Sequence, residues 1–273
     1  MENSLQDQVA IVTGGASGIG RAVCEELARR GALAVVADIN AQGAQAVAAA
    51  ITANGGRAVA AHLNVTRAED VERLVEDTAR THGRLDFMFN NAGIGVGGEV
   101  RELSLDFWRQ AIDINLWGVI YGTRAAYTVM LRQGRGHIVN TASVAGLIGE
   151  PGLTAYSVTK SAVVALSTAL RAEAEGSGIR VSVVCPGFVN TAIFQNSVGV
   201  DIDTEEFLAK LPVKLVPADD AARAILRGVE RNQAIIVFPF YARFLWWLTR
   251  LHPNALAGFH RRTLQRMRAM RDK

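Results

Sequence analysis

A glycine-rich loop between a strand and a helix constrains the fold of this chain more than any other feature. The apolar segment VAIVTG (9–14) is typical of a buried strand, and a helix is predicted over 19–30. Gly14 permits a tight turn, Gly18 lets the backbone approach a ligand, and Gly20 lets the helix pack closely on the strand. Free N–H groups at the helix start favour an anion such as a dinucleotide pyrophosphate. A tight turn without a ligand is the alternative. The residues predicted to bind a dinucleotide here are Gly14, Ser17, Gly18, Ile19 and Gly20.

Apolar, β-branched segments alternate with segments of helical period along most of the chain. Their lack of strict polar–apolar alternation is typical of parallel strands that are covered on both faces. We therefore predict a single α/β domain with a Rossmann-type, doubly wound parallel sheet over residues 1–238. Further strands are predicted at 33–38, 57–65, 85–93, 137–143 and 180–187, and helices over 41–53, about 67–81, about 104–133 with breaks at Gly118 and Gly122, and about 154–175.

The composition limits the class of protein. The chain has 273 residues, of which 49% are hydrophobic, enough for one large domain with a core. Two cysteines, Cys24 and Cys185, cannot build a disulfide framework, and the five histidines lack metal-ligand spacing, so we expect no metal. No signal-peptide pattern and no apolar run of about 20 residues is present, so we expect a cytoplasmic protein.

Asp38 ends the second predicted strand, 18 residues after Gly20. An acid at this position can accept hydrogen bonds from an adenosine ribose and would repel a 2′-phosphate. Its neighbours in the sequence supply no compensating cation, although Arg21 at the helix start is the nearest base. This pattern favours NAD as the cofactor, with NADP as the alternative.

Four further motifs carry a family resemblance. The loop has three residues between its first two functional glycines, Gly14 and Gly18, and it is accompanied by NNAG (90–93), Asn115, Ser143 and a Tyr156-x-x-x-Lys160 pair. With these motifs the chain resembles the short-chain dehydrogenase/reductase family from about residue 8 to about residue 237. Lys160 also stands out by itself, because residues 1–209 contain 15 Arg and this single Lys. A compact ammonium differs chemically from a guanidinium.

The resemblance implies a role for each of these side chains. Tyr156 would be the acid/base at the reacting oxygen, and Lys160 would assist it and bind the nicotinamide ribose. Ser143 would hydrogen-bond the reacting oxygen, and Asn115 would hold a water in a proton relay. Positions 156 and 160 lie one helical turn apart, and a lysine charge about 5 Å away is expected to lower a phenol pKa of about 10 by roughly two units.

The resemblance also implies further cofactor contacts. Backbone after the predicted strands at 85–93 and 180–187 would face the dinucleotide, and Asn64 replaces an aspartate that is common in the family beside the adenine. Because asparagine keeps an acceptor oxygen, we retain it as a contact. Besides Tyr156 and Lys160, these predicted contacts are Asn64, Val65, Asn91, Ala92, Gly93, Pro186, Gly187, Val189 and Thr191.

The expected substrate pocket combines the segment after Ser143 with a long stretch from about 188 to about 215, which we predict to be a lid. Apolar residues dominate both segments. They predict a secondary alcohol or ketone on a mainly hydrophobic skeleton as the small-molecule substrate. The predicted pocket residues are Ser143, Ala145, Glu150, Tyr156, Phe188 and Phe194. For Glu150, a solvated loop acid is the favoured alternative.

The C-terminal extension, residues 239–273, is the segment least similar to the family. Residues 231–273 carry nine Lys or Arg and one acid, whereas residues 1–230 are net acidic. Aromatic and leucine residues recur at helical spacing (Phe240, Phe244, Trp247 and Leu251), so we predict an amphipathic basic helix. Docking on its own body or on a neighbouring subunit is favoured, and contact with a membrane surface is the alternative.

The sequence as a whole predicts an NAD-dependent oxidoreductase that interconverts a secondary alcohol and a ketone. The same chemistry with NADP, and a dinucleotide-binding regulator or scaffold without turnover, remain the alternatives. The acidic main body argues against a nucleic-acid partner. Family resemblance leads us to expect a homo-oligomer.

Overall fold

The computed structural model describes residues 5–191, 193, 197–199 and 213–271. Its strands are β1 (Val9–Thr13), β2 (Leu33–Asp38), β3 (Arg57–His62), β4 (Phe87–Asn90), β5 (Val96–Gly97), β6 (Gly136–Thr141), β7 (Ile179–Pro186), β8 (Val198–Gly199) and β9 (Ile235–Phe238). Among the described residues, seven parallel strands form one sheet in the order β3-β2-β1-β4-β6-β7-β9, and β5 pairs with β8 separately.

Helices cover both faces of the seven-stranded sheet. The prediction of a Rossmann-type, doubly wound parallel sheet in a single α/β domain is thereby confirmed. The helices are α1 (Gly18–Arg29), α2 (Ala41–Ala53), α3 (Ala68–His82), α4 (Leu105–Ile112), α5 (Gly118–Gln133), α6 (Ala145–Ile148), α7 (Thr154–Glu173), α8 (Ala218–Glu230), α9 (Phe240–Leu251) and α10 (Ala257–Arg271), with a π-helical turn at Asp113–Trp117 between α4 and α5.

The core lies on both sides of the sheet, which explains the missing alternation in the strand sequences. Successive residues of a strand point to opposite faces, yet Ile11 and Val12 of β1 are both fully buried. Ile11 packs in the cluster that includes Met130 of α5, and Val12 packs in the cluster that includes Leu27 of α1 and Leu226 of α8. Each such side chain contributes roughly 1.5–3 kcal/mol by its burial.

The strand order reverses beside β1, and this switch point positions the site. Because β1 lies between β2 and β4, the loops that follow β1 and β4 flank a crevice at the carboxyl edge of the sheet. Thr13 ties the two strand ends together. Its Oγ1 accepts hydrogen bonds from the N–H groups of Asn91 (2.9 Å) and Ala92 (3.0 Å).

The predicted breaks in the helix over 104–133 are wrong. The chain is helical from Leu105 to Gln133, interrupted in hydrogen-bond pattern only by the π-helical turn. Gly118 begins α5 and Gly122 lies inside it. A Cβ atom on Gly118 would lie 3.0 Å from Cβ of Val65, so this glycine allows close packing of the helix rather than a turn.

Several predicted strands are longer than the observed ones. The segment predicted at 57–65 ends as β3 at His62, and the segment predicted at 85–93 is β4 only from Phe87 to Asn90. The residues beyond these strand ends line the crevice instead. The predictions also lacked α8 and β9, although β9 extends the sheet by pairing in parallel with β7.

The basic C-terminal segment folds back onto its own chain. The N–H of Phe188 donates to Tyr241 Oη of α9 (2.7 Å), and Met267 of α10 packs against Gly152. Arg268 forms a bidentate ion pair with Glu99 (2.7 and 2.8 Å). The packing of the C-terminal helices on their own chain agrees with the favoured expectation from the sequence. The predicted domain boundary at residue 238 stays a prediction. No helix in the described part of the chain has the length and apolarity to cross a membrane.

Candidate active site

A cavity of about 820 Å³ lies at the carboxyl edge of the sheet, beside the switch point. It brings together nearly all of the predicted site residues, which come from loops far apart in the sequence. Phe194 and most of the predicted lid over 188–215 lie outside the described residues. The predicted residues that line the cavity are Gly14, Ser17, Gly18, Ile19, Asp38, Asn64, Val65, Asn91, Ala92, Gly93, Ser143, Ala145, Glu150, Tyr156, Lys160, Pro186, Gly187, Phe188, Val189 and Thr191.

Two predicted site residues lie behind the cavity wall. Gly20 belongs to α1, and a Cβ atom there would lie 2.6 Å from Nδ2 of Asn91, so its role is packing rather than ligand contact. Asn115 is fully buried within the π-helical turn. Neither appears among the residues that line the cavity.

The glycine loop adopts the geometry that its sequence predicts. Gly14 has a φ of +66°, a left-handed conformation that favours glycine, and a Cβ atom there would lie 2.9 Å from Cα of Ala92. Ser17 precedes α1 and makes no capping hydrogen bond through its side chain. The first N–H groups of α1 are therefore available at the cavity for an anion.

Asp38 fixes the loop and also faces the cavity. Its carboxylate accepts hydrogen bonds from the N–H of Ala16 (3.0 Å) and from the N–H of Asn40 (2.9 Å). Among the described residues that line the cavity, Lys160 is the single Lys and Arg is absent. Among the described lining residues, the end of the crevice beside β2 therefore holds an acid and no arginine.

Tyr156, Lys160 and Ser143 converge near the ends of β6 and β7. Lys160 Nζ donates to the carbonyl of Thr141 (2.9 Å) and lies 5.6 Å from the centroid of the Tyr156 ring. Ser143 Oγ accepts from the N–H of Ala145 (3.2 Å) and hydrogen-bonds Tyr156. One wall of the cavity thus presents a phenol, a hydroxyl and an amine together.

Burial controls the titration of this group. Tyr156 keeps some exposed surface toward the cavity, yet desolvation raises its pKa to about 12, against the hydrogen bond from Ser143, which lowers it. Desolvation also lowers the pKa of Lys160 to about 8. The expectation from the sequence considered only the charge of Lys160, whereas burial of the phenol is the largest influence on the pKa of Tyr156 and acts in the opposite direction.

Asn115 supports the site through the backbone that follows β4. Its Oδ1 accepts from the N–H of Ile94 (2.8 Å), and its Nδ2 donates to the carbonyl of Ile94 (2.9 Å). Gly93 lies directly against Asn115 Oδ1 and Lys160 Nζ. The π-helical turn aims the asparagine side chain at this segment, and such turns are frequent at functional sites.

Glu150 is the acid at the substrate end of the cavity. It lies in the loop after α6, and burial raises the pKa of its carboxyl to about 7. The ionised and neutral forms are therefore both accessible near neutral pH. The sequence placed this residue in the pocket without indicating its titration.

The C-terminal helices supply a wall of the cavity that the sequence did not reveal. Helical spacing singled out Phe240, Phe244, Trp247 and Leu251, but it did not show which face of α9 packs inward. The contributing side chains of α9 and α10 are Tyr241, Phe244, Leu245, Phe259, Thr263 and Met267. Other lining residues outside the predicted segments include Ile39, Leu63, Ile94, Ile114 and Leu153, whereas Ile148, Ile193 and Val213 belong to the two segments that were predicted to build the pocket.

The short chain dehydrogenase family profile matches residues 8–199 of this sequence. The chain belongs to this family. It is 35% identical to a 2-(S)-hydroxypropyl-CoM dehydrogenase of Xanthobacter autotrophicus over 247 residues, covering 89% of this chain and 97% of that protein. It is 41% identical over 194 residues to a cyclohexanol dehydrogenase of Acinetobacter sp., covering 71% of this chain and 77% of the relative.

Solved structures give the same assignment. A short-chain dehydrogenase/reductase from Burkholderia phymatum in complex with NAD superposes with a TM-score of 0.84 at 27% identity, covering 94% of this chain and 97% of the other. Family membership and this neighbour make the protein an oxidoreductase with a nicotinamide dinucleotide cofactor.

Proposed function

We propose that this protein is an NAD-dependent dehydrogenase that interconverts a secondary alcohol and a ketone on a mainly hydrophobic substrate. One observation carries the proposal. Tyr156, Lys160 and Ser143 meet in the same cavity as the glycine loop and Asp38. A cofactor held along the loop would therefore end beside the phenol.

The residues present fit NAD. The left-handed Gly14 and the free start of α1 suit a pyrophosphate, and Asp38 suits an adenosine ribose. Arg21, the nearest base in the sequence, forms an ion pair with Glu25 (2.8 Å) and does not line the cavity. A 2′-phosphate would thus meet the Asp38 carboxylate, which favours NAD over NADP.

The side chains divide the proton chemistry among them. When bound, NAD supplies a hydride acceptor, and its reduced form a hydride donor. During oxidation, Tyr156 Oη in its phenolate form takes the proton from the alcohol hydroxyl and becomes the phenol, and during reduction the phenol gives this proton to the carbonyl oxygen and becomes the phenolate. Ser143 hydrogen-bonds the same oxygen as its charge changes. Lys160, held by the carbonyl of Thr141, keeps a positive charge beside the phenol below a pH of about 8.

The substrate class follows from the cavity wall. Aliphatic and aromatic side chains such as Ile148, Leu153, Phe188 and Leu245 make up much of the cavity wall. They favour a hydrophobic skeleton, while Glu150 offers a polar contact at one point. The relative from Acinetobacter is named for cyclohexanol, which is itself a hydrophobic secondary alcohol.

The test is formation of reduced nicotinamide with NAD or NADP against a panel of secondary alcohols that spans short aliphatic, aryl, long-chain and steroidal compounds. Tyr156→Phe is expected to lose nearly all turnover while its affinity for NADH changes little. Tyr127→Phe, on α5 outside the cavity lining, is the matched control. Undiminished turnover by Tyr156→Phe would contradict the mechanism. If the wild type oxidises no alcohol of the panel but still binds NADH, the alternative of a dinucleotide-binding regulator without turnover would be favoured.

A further inference from the structure

Helix α9 presents its apolar face outward. Phe240, Phe244, Trp247 and Leu251 are 79%, 48%, 55% and 64% exposed. At 100° per residue, these four side chains fall within about 60° of one another around the helix. The opposite face of α9 packs inward, where Ala242 is fully buried and Tyr241 and Leu245 line the cavity. We call these four exposed residues the outer stripe.

Arginines flank the outer stripe. Arg243 and Arg250 of α9 and Arg261 and Arg262 of α10 are exposed, and within the described part of the chain none of them forms an ion pair. Arg250 lies over the ring of Trp246 at 5.3 Å. The sequence from 231 to 271 contains no acid at all. The segment that carries the stripe is therefore strongly basic.

The cavity opens beside the outer stripe. Phe244 belongs to the stripe and also lines the cavity, and Phe259 of α10 lines the cavity while 42% exposed. The same side chains thus form the rim of the cavity and part of the exposed surface. A hydrophobic molecule that reached the cavity past this rim would cross apolar surface rather than water.

We propose that the outer stripe docks on an anionic lipid surface, with the rim of the cavity against it. Exposed aromatic and leucine side chains with flanking arginines on one helix are the combination that binds at a bilayer interface. Helix α9 has 12 residues and so spans about 18 Å, too short to cross a hydrocarbon core of about 30 Å. It therefore lies along the surface.

Charge favours lipid over a second copy of this chain. Two copies joined through the stripe would bring the same arginines together, and like charges at an interface oppose association. An anionic headgroup layer instead attracts every one of them. Other exposed apolar side chains, such as Val59 on β3 and Leu131 on α5, lie on other elements and provide controls.

The experiment is flotation of the full-length protein with vesicles of phosphatidylcholine alone or of phosphatidylcholine with phosphatidylglycerol. Wild type is expected to float with the anionic vesicles only, less so as salt rises. Trp247→Glu with Leu251→Glu should lower the bound fraction at least tenfold. Val59→Glu with Leu131→Glu, which adds the same charge at two other exposed apolar positions, should bind as wild type does.

A second pair tests the cations. Arg243→Gln with Arg250→Gln should weaken binding to anionic vesicles and reduce its salt dependence, whereas the exposed Arg180→Gln with Arg227→Gln should not. The proposal is overturned if wild type stays unbound, or if the glutamate pair in the stripe floats as well as wild type. It is also overturned if that pair changes only the oligomeric state seen by light scattering.

Flotation requires no turnover, so this test is independent of the proposed function. Trp247 and Leu251 do not line the cavity, and oxidation of a water-soluble alcohol by the stripe variant should match that of wild type. Loss of vesicle binding with intact turnover therefore locates the effect at the surface rather than at the active site.

Discussion

The carboxylate of Asp38 holds the glycine loop in place, and in the proposed function it also selects the cofactor. Its hydrogen bonds from the N–H groups of Ala16 and Asn40 hold the glycine loop against the end of β2. The same carboxylate faces the cavity at the end where an adenosine ribose would lie. A substitution should therefore affect both the loop and the choice between the two dinucleotides.

Asp38→Ala is expected to lower the ratio of kcat/KM for NAD to that for NADP by roughly tenfold or more. A hydrogen bond to a charged group contributes about 1.5–3 kcal/mol, and the repulsion of a 2′-phosphate disappears with the charge. Steady-state kinetics with both cofactors measure this ratio. Asp106→Ala, at an exposed acid on α4, is the control, and an unchanged ratio in Asp38→Ala would remove Asp38 from cofactor selection.

Lys160 makes the stability of the fold depend on pH. Burial lowers its pKa from 10.5 to about 8, so between these values the unfolded chain binds a proton that the folded chain does not. Stability from this group therefore rises as pH rises through that window. Relative to Lys160→Met, the free energy of unfolding of wild type should rise by about 3 kcal/mol.

Urea unfolding on either side of that window measures the difference for Lys160. Lys214→Met, at an exposed lysine, is the control. If the difference in the free energy of unfolding between wild type and Lys160→Met did not change with pH, the ammonium of Lys160 would not be desolvated in the folded chain.

The π-helical turn is the element that joins the fold to the site. It rotates the fully buried Asn115 toward Ile94, and the two hydrogen bonds there fix the segment that carries Gly93 beside Lys160. An uninterrupted α-helix would place this side chain differently, since each extra residue in a turn shifts the faces that follow.

Asn115→Ala should therefore destabilise the fold by roughly 1–3 kcal/mol, because the N–H and C=O groups of the half-buried Ile94 lose the partner that Asn115 provides. Denaturant unfolding measures the change. Asn54→Ala, at the exposed end of α2, is the control. A loss below about 0.5 kcal/mol would mean that water replaces the amide and that Ile94 does not depend on Asn115.

At the scale of the whole molecule, the body and the C-terminal helices divide the cavity between them. Every residue assigned to the dinucleotide precedes residue 192, whereas α9 and α10 close the opposite wall. A truncated variant that ends at residue 238 should accordingly keep the NAD affinity of the full-length protein. It should lose at least tenfold in kcat/KM for a bulky alcohol, since each lost methylene contact contributes about 1–3 kcal/mol.

Calorimetric NAD binding and steady-state kinetics on small and bulky alcohols test this division. Equal losses of kcat/KM for the small and the bulky alcohol would contradict a role of the C-terminal helices in substrate selection. Loss of NAD binding together with the near-ultraviolet circular dichroism signal would contradict the proposed domain boundary at residue 238.

The sequence by itself determined the parallel sheet except for β9, the glycine loop and most of the residues that meet at the carboxyl edge of the sheet. These features depend on local chemistry, such as a left-handed Gly14 after a buried strand or a Tyr156–Lys160 pair one helical turn apart. Spacing along one helix or at the end of one strand suffices to place them, because parallel strands end at a common edge.

Only the tertiary structure decided the direction of the Tyr156 pKa and the orientation of α9. The pKa depends on how much water the surrounding elements remove, which no spacing records. Helix α9 carries apolar residues on two faces, so its periodicity could not tell which face packs inward. Contacts of Tyr241 and Leu245 with the body settle that choice and leave Trp247 and Leu251 at the surface.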